Sequence, residues 1–327
     1  MIDNFILNFL TKNRKNIAMF NLMYILKKGI FLSKKNDTIF VIKGLRYIKV
    51  HAKNVIYVHT DIVNNFDFYF SAVKSQKNGI FRFVEYSQTA LHDVRGYELH
   101  QIMVPSIMEP IDAVEQYLKF FNLQEDSVVL DLGSYSGLTC ILFDREISKN
   151  NINAKGRVIT VEADEKSLEC VKYNLNSYKT ITGRTIEYTY GAIWNNDGEL
   201  EFSTEGTLGA SAIEVMDYCR GTKKQVPSYK LSSIAKKHSL EKIDCIKCDI
   251  EGAEAQLVED SEFFSQFRPK IIMELHETKG NKLFNKIKTS LEKYDYEVKK
   301  VIQEDGFDFP LLECTPKKIK AHPDFSY

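Results

Sequence analysis

Three stretches of the chain close an apolar run with side chains able to bind or to ionise. Asp131-Leu132-Gly133-Ser134-Tyr135-Ser136-Gly137 closes the first, Glu162 the second, and Lys247-Cys248-Asp249-Ile250-Glu251-Gly252-Ala253-Glu254 the third. A further run, Pro269 to Leu275, carries Glu274 and is followed by His276. Gly133 and Gly137 allow a tight turn and a close approach of backbone to ligand, and Asp131 stands where a carboxylate can pair with a ligand ammonium group. A dinucleotide fingerprint needs glycines spaced G-x-G-x-x-G. Counted from Gly133, those places hold Tyr135 and Leu138, so that reading fails. A phosphate loop fails as well, because no Gly-Lys-Ser/Thr follows. The spacing and residue types point to S-adenosylmethionine instead.

The elements that must position these groups are short and apolar. Ser127–Leu130, Gly156–Glu162, Ile243–Asp249 and Pro269–His276 read as strands covered on both faces, the pattern of a parallel α/β sheet. Such sheets bind ligands beyond the carboxyl ends of their strands. Glu162 ends the strand one βαβ unit after Asp131, where an acid can accept hydrogen bonds from both hydroxyls of a ribose. The competing role, a carboxylate at the start of the helix that follows, suits Asp164 better. Lys247 and Asp249 fall on one face of their strand, and buried charges need partners. Lys247 should pair with Asp249 or Glu274; a purely structural ion network is the alternative reading of this cluster. Tyr296–Ile302 and Phe307–Cys314, around Glu304-Asp305-Gly306, read as a hairpin.

Taken together, the D-x-G-x-x-x-G loop, Val161-Glu162-Ala163-Asp164, Gly191-Ala192-Ile193 followed by Asp197-Gly198, and K-x-D-x-E-G-x-E followed by Glu-x-His resemble the FkbM family of class I methyltransferases. The likeness runs from about Leu123 to His276, and Val226-Pro227 through Leu231 adds to it. Ser232 and Ser233 stand where the family has acids, so no role carries over there. The resemblance implies a Rossmann-like α/β fold: a mostly parallel seven-stranded sheet with a C-terminal antiparallel hairpin. It also implies methylation of a hydroxyl, most often on a sugar of a glycan or polysaccharide. It puts Asp131, Gly133 and Glu162 at the cofactor, and Asp249, Glu251 and Glu254 near the transferred methyl. Ser134, Tyr135, Gly137, Ala163, Ala192 and Asp249 complete the expected cofactor contacts. A sugar hydroxyl needs a base as the new bond forms; His276, Asp249, Glu251 and Glu274 are the candidates. The acids could instead hold a divalent metal, which is the less favoured reading. An acceptor other than a sugar, or a methyltransferase-like domain that binds without catalysis, are the alternatives.

The 327 residues, 44% of them hydrophobic, suffice for one large domain and a smaller one. The expected division is an accessory region for acceptor recognition or assembly at 1–106 and a methyltransferase domain at 107–327. Equal numbers of basic and acidic residues, 44 of each, argue against nucleic acid as partner. Six cysteines form no disulfide framework at this length, and Cys140, Cys170 and Cys314 in apolar stretches suit a reducing, cytoplasmic setting. Cys245 and Cys248 should point to opposite faces of a strand and not chelate together. Ile2, Phe5, Ile6, Phe9 and Leu10 make one amphipathic stripe, and Ile17, Phe20, Met23 and Leu26 a second. Those helices could join two copies of the chain or lie on a membrane surface. No signal peptide or membrane-spanning run is apparent. Short strands are expected from Thr38 to Val84, and the aromatics between Phe66 and Tyr97 could face a sugar or fill a small core. Tyr97, Glu98 and His100 lie on a lead-in segment that could fold over a cofactor.

Overall fold

A computed structural model describes residues 17–55, 58–72, 81–84, 89–92, 97, 99, 101–105, 112–204, 206, 210–212, 222–277, 282–303 and 309–317. Contacts divide the chain into two units, Met1–Met108 and Glu109–Tyr327. The expectations for Ile2–Leu10, Glu98 and His100 fall outside the described residues.

The first unit opens with helix α1 (Ile17–Lys28) and an antiparallel meander of β1 (Ile30–Lys35), β2 (Thr38–Lys43) and β3 (Arg46–His51). Alternation is the reason for the meander: Ile39, Val41, Ile48 and Val50 turn inward and the residues between them do not. Helix α2 (Phe66–Ala72) precedes β4 (Phe81–Val84), which runs parallel to β3; β5 (Ala90–His92) and β6 (Ile102–Val104) form a separate antiparallel pair. Two expectations need correction. Phe66–Ala72 is helical and not a strand, and Phe66, Tyr69, Phe70 and Tyr97 are buried, so these aromatics fill a core. Leu26 is 76% exposed and so leaves the expected stripe, while Tyr24 is buried against His59.

The second unit begins with α3 (Asp112–Phe121), β7 (Val128–Leu132), α4 (Leu138–Ser148), β8 (Arg157–Glu162), α5 (Glu165–Thr182) and β9 (Glu187–Tyr190). Four short strands follow: β10 (Ala192–Ile193), β11 (Gly198–Thr204), β12 (Ser211–Ala212) and β13 (Thr222–Tyr229). Then come α6 (Leu231–Lys237), β14 (Cys245–Cys248), α7 (Glu254–Leu257), α8 (Ser261–Gln266), β15 (Lys270–Glu274), α9 (Lys282–Glu292), β16 (Tyr296–Val301) and β17 (Leu311–Pro316). Seven of the strands make one sheet in the order β16-β17-β15-β14-β7-β8-β9, parallel except for β17. This is the sheet and terminal hairpin expected from the sequence. Every residue of β7 is buried, as covered parallel strands require.

Polar locks fix the helices on this sheet. Asp164 caps α5 by accepting from the amides of Lys166 and Ser167, and Gly183 ends it in a left-handed turn. Behind β8, the Arg184 guanidinium donates to both oxygens of buried Asp144 at 2.7 Å, and the Tyr178 hydroxyl donates to the same carboxylate. The second sheet, in the order β10-β13-β11-β12, was not foreseen as a sheet. Its strands are too short and too polar on one face to stand out in a periodic pattern.

Candidate active site

Chain order reverses between β7 and β14: the chain builds outward from β7 through β8 to β9, then returns to lay β14 on the other side. The crevice at such a reversal, past the carboxyl ends of the strands, is the usual ligand site of open α/β sheets. A cleft of about 660 Å³, open mouth included, lies there. The β7–α4 turn lines it with Gly133 and Tyr135, the end of β8 with Glu162 and Ala163, and the end of β14 with Asp249, Ile250 and Glu251. The second sheet supplies Ala192, Trp194, Phe202 and Ala212. Trp194, the chain's only tryptophan, and Phe202 were missed in the sequence, where no local signal ties them to the acidic motifs. Tyr135 and Glu251 both hold a left-handed backbone, with φ of 52° each. Non-glycine residues rarely accept this, and such positions cluster at functional sites.

The glycines have reasons other than a ligand. A Cβ on Gly133 (φ 74°) would lie 1.8 Å from the carbonyl oxygen of Asp249. The residue is glycine so that the β7 turn can seat against the end of β14. Gly137 (φ 77°) meets only ordinary contacts and is needed for its left-handed turn into α4. Ser134 is buried and does not line the cleft; its carbonyl accepts from the Gly137 amide.

Glu162 is buried and accepts from the amides of Tyr135 and Asp164, each at 2.8 Å. Burial outweighs these bonds and pushes its carboxyl up to about 7. Asp131 differs from its expected setting. It is fully buried, does not line the cleft, accepts hydrogen bonds from Thr139 and Cys140, and stands 3.5 Å from the Lys247 ammonium. It faces the protein interior because it lies within β7 and not at its tip. Lys247 is also 3.5 Å from Asp249 and donates to the Gly133 carbonyl at 2.8 Å. Its pairing with Asp249 was expected, its pairing with Asp131 was not.

Asp249, Glu251, Glu254, Glu274 and His276 come together at the ends of β14 and β15. His276 Nδ1 is 2.8 Å from Glu254, and Nε2 is 3.5 Å from Glu251, 3.7 Å from Asp249 and 3.8 Å from Glu274. Burial pulls the His276 pKa down, but the Glu254 hydrogen bond and the charges of Glu251, Glu254 and Asp249 raise it to about 10. Burial likewise raises Glu251 and Glu274 to about 8. His276 is thus an imidazolium at neutral pH and not the poised base its ordinary pKa suggested. Neither His276 nor Glu274 lines the cleft; Asp249 and Glu251 do. Cys245 and Cys248 are buried free thiols. His238 joins Glu187 and Thr189 on the far side of β9, away from these groups.

The strand order and the cleft define a class I methyltransferase fold. The chain belongs to the methyltransferase FkbM domain family, whose model matches residues 131–298, just over half of its 327 residues. No curated protein matches the chain. Among solved structures, a methyltransferase FkbM from Methylobacillus flagellatus KT is 17% identical with a TM-score of 0.44, over 63% of this chain and 48% of that one. This chain thus spans about half the length of that relative. A precorrin-6y C5,15-methyltransferase from Geobacter metallireducens GS-15 is 14% identical with a TM-score of 0.38, over 63% of this chain and 88% of that one. An O-methyltransferase from Bacillus cereus in complex with SAH is 14% identical with a TM-score of 0.37, over 64% of this chain and 82% of that one. Among the described residues, no helix is long and apolar enough to cross a membrane.

Proposed function

We propose that this methyltransferase moves the methyl group of S-adenosylmethionine to a hydroxyl of a sugar in a glycan or polysaccharide. The observation that carries the reading is one cleft with two chemistries. Its lining combines Trp194, Phe202, Ala163 and Glu162, which suit an adenine ring and a ribose diol, with the carboxyl groups of Asp249 and Glu251. The sulfonium methyl is already electrophilic, so the protein's work is to hold an acceptor oxygen in line with it, exclude water and take a proton. Of the Asp249 and Glu251 carboxyl groups, both open to the cleft, Asp249 is assigned the proton, and Glu251, which burial raises to about 8, takes it only in its ionised form. His276 and Glu274 stand behind them as positioning residues. Asp131 supports the ligand indirectly, by holding Lys247 against the Gly133 turn. The family's usual acceptors support a hydroxyl on a sugar, and the first unit is assigned to acceptor recognition or assembly.

Calorimetric titration with S-adenosylmethionine tests the donor. Wild-type protein should bind it, and Glu162→Ala should lose about 1.5–3 kcal/mol of affinity, the worth of hydrogen bonds to a charged group. Transfer of a labelled methyl from that donor to a panel of free glycans then tests the acceptor. Asp249→Asn should slow transfer more than it weakens donor binding. A folded wild-type protein with no affinity for the donor would end this reading.

A further inference from the structure

We infer that Asp249, Glu274 and His276 hold a divalent metal ion at the inner end of the cleft. One donor atom from each of the three lies within 4.8 Å of the others. Their spacing is the telling feature. An imidazolium N–H aimed at a carboxylate closes to about 2.8 Å. At Nδ1 that is what happens, with Glu254 at 2.8 Å. At Nε2 it does not: three carboxylates stand around this nitrogen at 3.5 to 3.8 Å and none closes on it. A nitrogen nine-tenths buried, aimed at three acids and hydrogen-bonded to none, surrounds a centre in place of bonding a neighbour.

The supporting groups fit this centre. Glu254 is fully buried, and the oxygen that bonds His276 also accepts from the Gly252 amide at 2.9 Å. A carboxylate on Nδ1 fixes the tautomer whose Nε2 lone pair points at the ion, the usual arrangement behind metal-bound histidines. Phe309 lies against the imidazole with ring centres 4.9 Å apart and holds its plane. Charge points the same way. Among the described residues, Lys247 and His276 are the basic groups paired with Asp131, Asp249, Glu251, Glu254 and Glu274, two for five acids. An ion held between these donors supplies positive charge there. One nitrogen and two carboxylates suit a transition-metal ion such as Mn²⁺, which accepts imidazole beside oxygen ligands, better than Ca²⁺, which takes oxygen ligands.

Resting on the proposed function, the ion gains a role in the reaction. Asp249 belongs both to the cleft wall and to the ligand set, so an ion held there would border the cleft. A hydroxyl bound there would be a stronger acid, and its proton would pass to Glu251 in its ionised form. The test needs neither acceptor nor turnover. Full-length protein freed of metal with a chelator is titrated with Mn²⁺, with free ion read by electron paramagnetic resonance, and separately with S-adenosylmethionine. One Mn²⁺ per chain is expected, with affinity at least tenfold lower in Glu274→Gln and His276→Ala variants that melt cooperatively. Absence of stoichiometric Mn²⁺ binding by the wild type, or undiminished binding by both folded variants, would overturn the site. Donor binding without Mn²⁺ binding overturns the metal alone, whereas Mn²⁺ binding without donor binding upholds the metal and overturns the methyl-donor reading.

Discussion

Glu162 shows how one side chain can carry both a binding role and a stability cost. It is buried at the cleft, and its carboxyl is pushed from the ordinary carboxylate range to about 7. Between the unfolded value near 4.5 and this folded value, the folded chain keeps a proton that the unfolded chain releases. Stability of the ligand-free protein should therefore fall as pH rises through that window and level off above it. Glu162→Gln lacks the ionisation, so its stability relative to wild type should improve with pH, by up to about 3 kcal/mol between pH 5 and 8. Urea unfolding of both proteins across that range measures the gap. Parallel profiles would show that the carboxylate ionises freely in the fold. Asp131 illustrates the opposite case: its charge answers Lys247 inside the sheet, so its loss acts on the protein before it acts on any ligand.

Among the elements, the two helices that follow the ligand-binding strands depend on one buried ion pair. Arg184, just past α5, reaches back to Asp144 of α4 and also donates to the carbonyls of Ile152, Ala154 and Gly156. The guanidinium thereby satisfies the loop between α4 and β8, whose own backbone groups lack strand partners. Removing one member of a buried pair leaves the other uncompensated, at a cost of about 3–5 kcal/mol. Arg184→Ala should lower the melting temperature by many degrees, and Arg184→Lys should recover little, because a single ammonium cannot copy the fork. Thermal unfolding followed by circular dichroism gives the answer; a Lys variant as stable as wild type would show that charge alone suffices.

For the whole molecule, every residue lining the cleft belongs to the second unit, Glu109–Tyr327. That unit also has its own apolar core, in which Leu130, Ile159, Ile246, Ile271 and Cys314 pack on one face of the seven-stranded sheet. A chain starting at Glu109 should therefore fold and bind S-adenosylmethionine, yet lose methyl transfer to the acceptor if the first unit recognises it. Full transfer by the folded shorter chain would move the first unit from acceptor recognition to assembly. Phe66, Tyr69, Phe70 and Tyr97, among the aromatics that suggested sugar contact in that unit, are core residues.

Much of the site was legible in the sequence because it is local. An apolar run that stops at Asp131, Glu162 or Asp249 marks where a covered strand ends, and the edge of a parallel sheet is where its ligands bind. Glycines at 133, 137 and 252 marked the turns, and Asp164 announced the start of a helix. What only the tertiary structure decided rests on contacts between residues far apart in the chain. Gly133 must lack a side chain because Asp249, on another strand, occupies the space. Gly191 must lack one because Tyr229 and the Pro227 carbonyl do. Trp194 and Phe202 reach the cleft only through the second sheet, and His276 ceases to be an ordinary histidine only when four carboxylates from two strand ends surround it. Spacing along the chain reports which strand ends carry chemistry; which of those groups face one another depends on strand order, and strand order is set by folding.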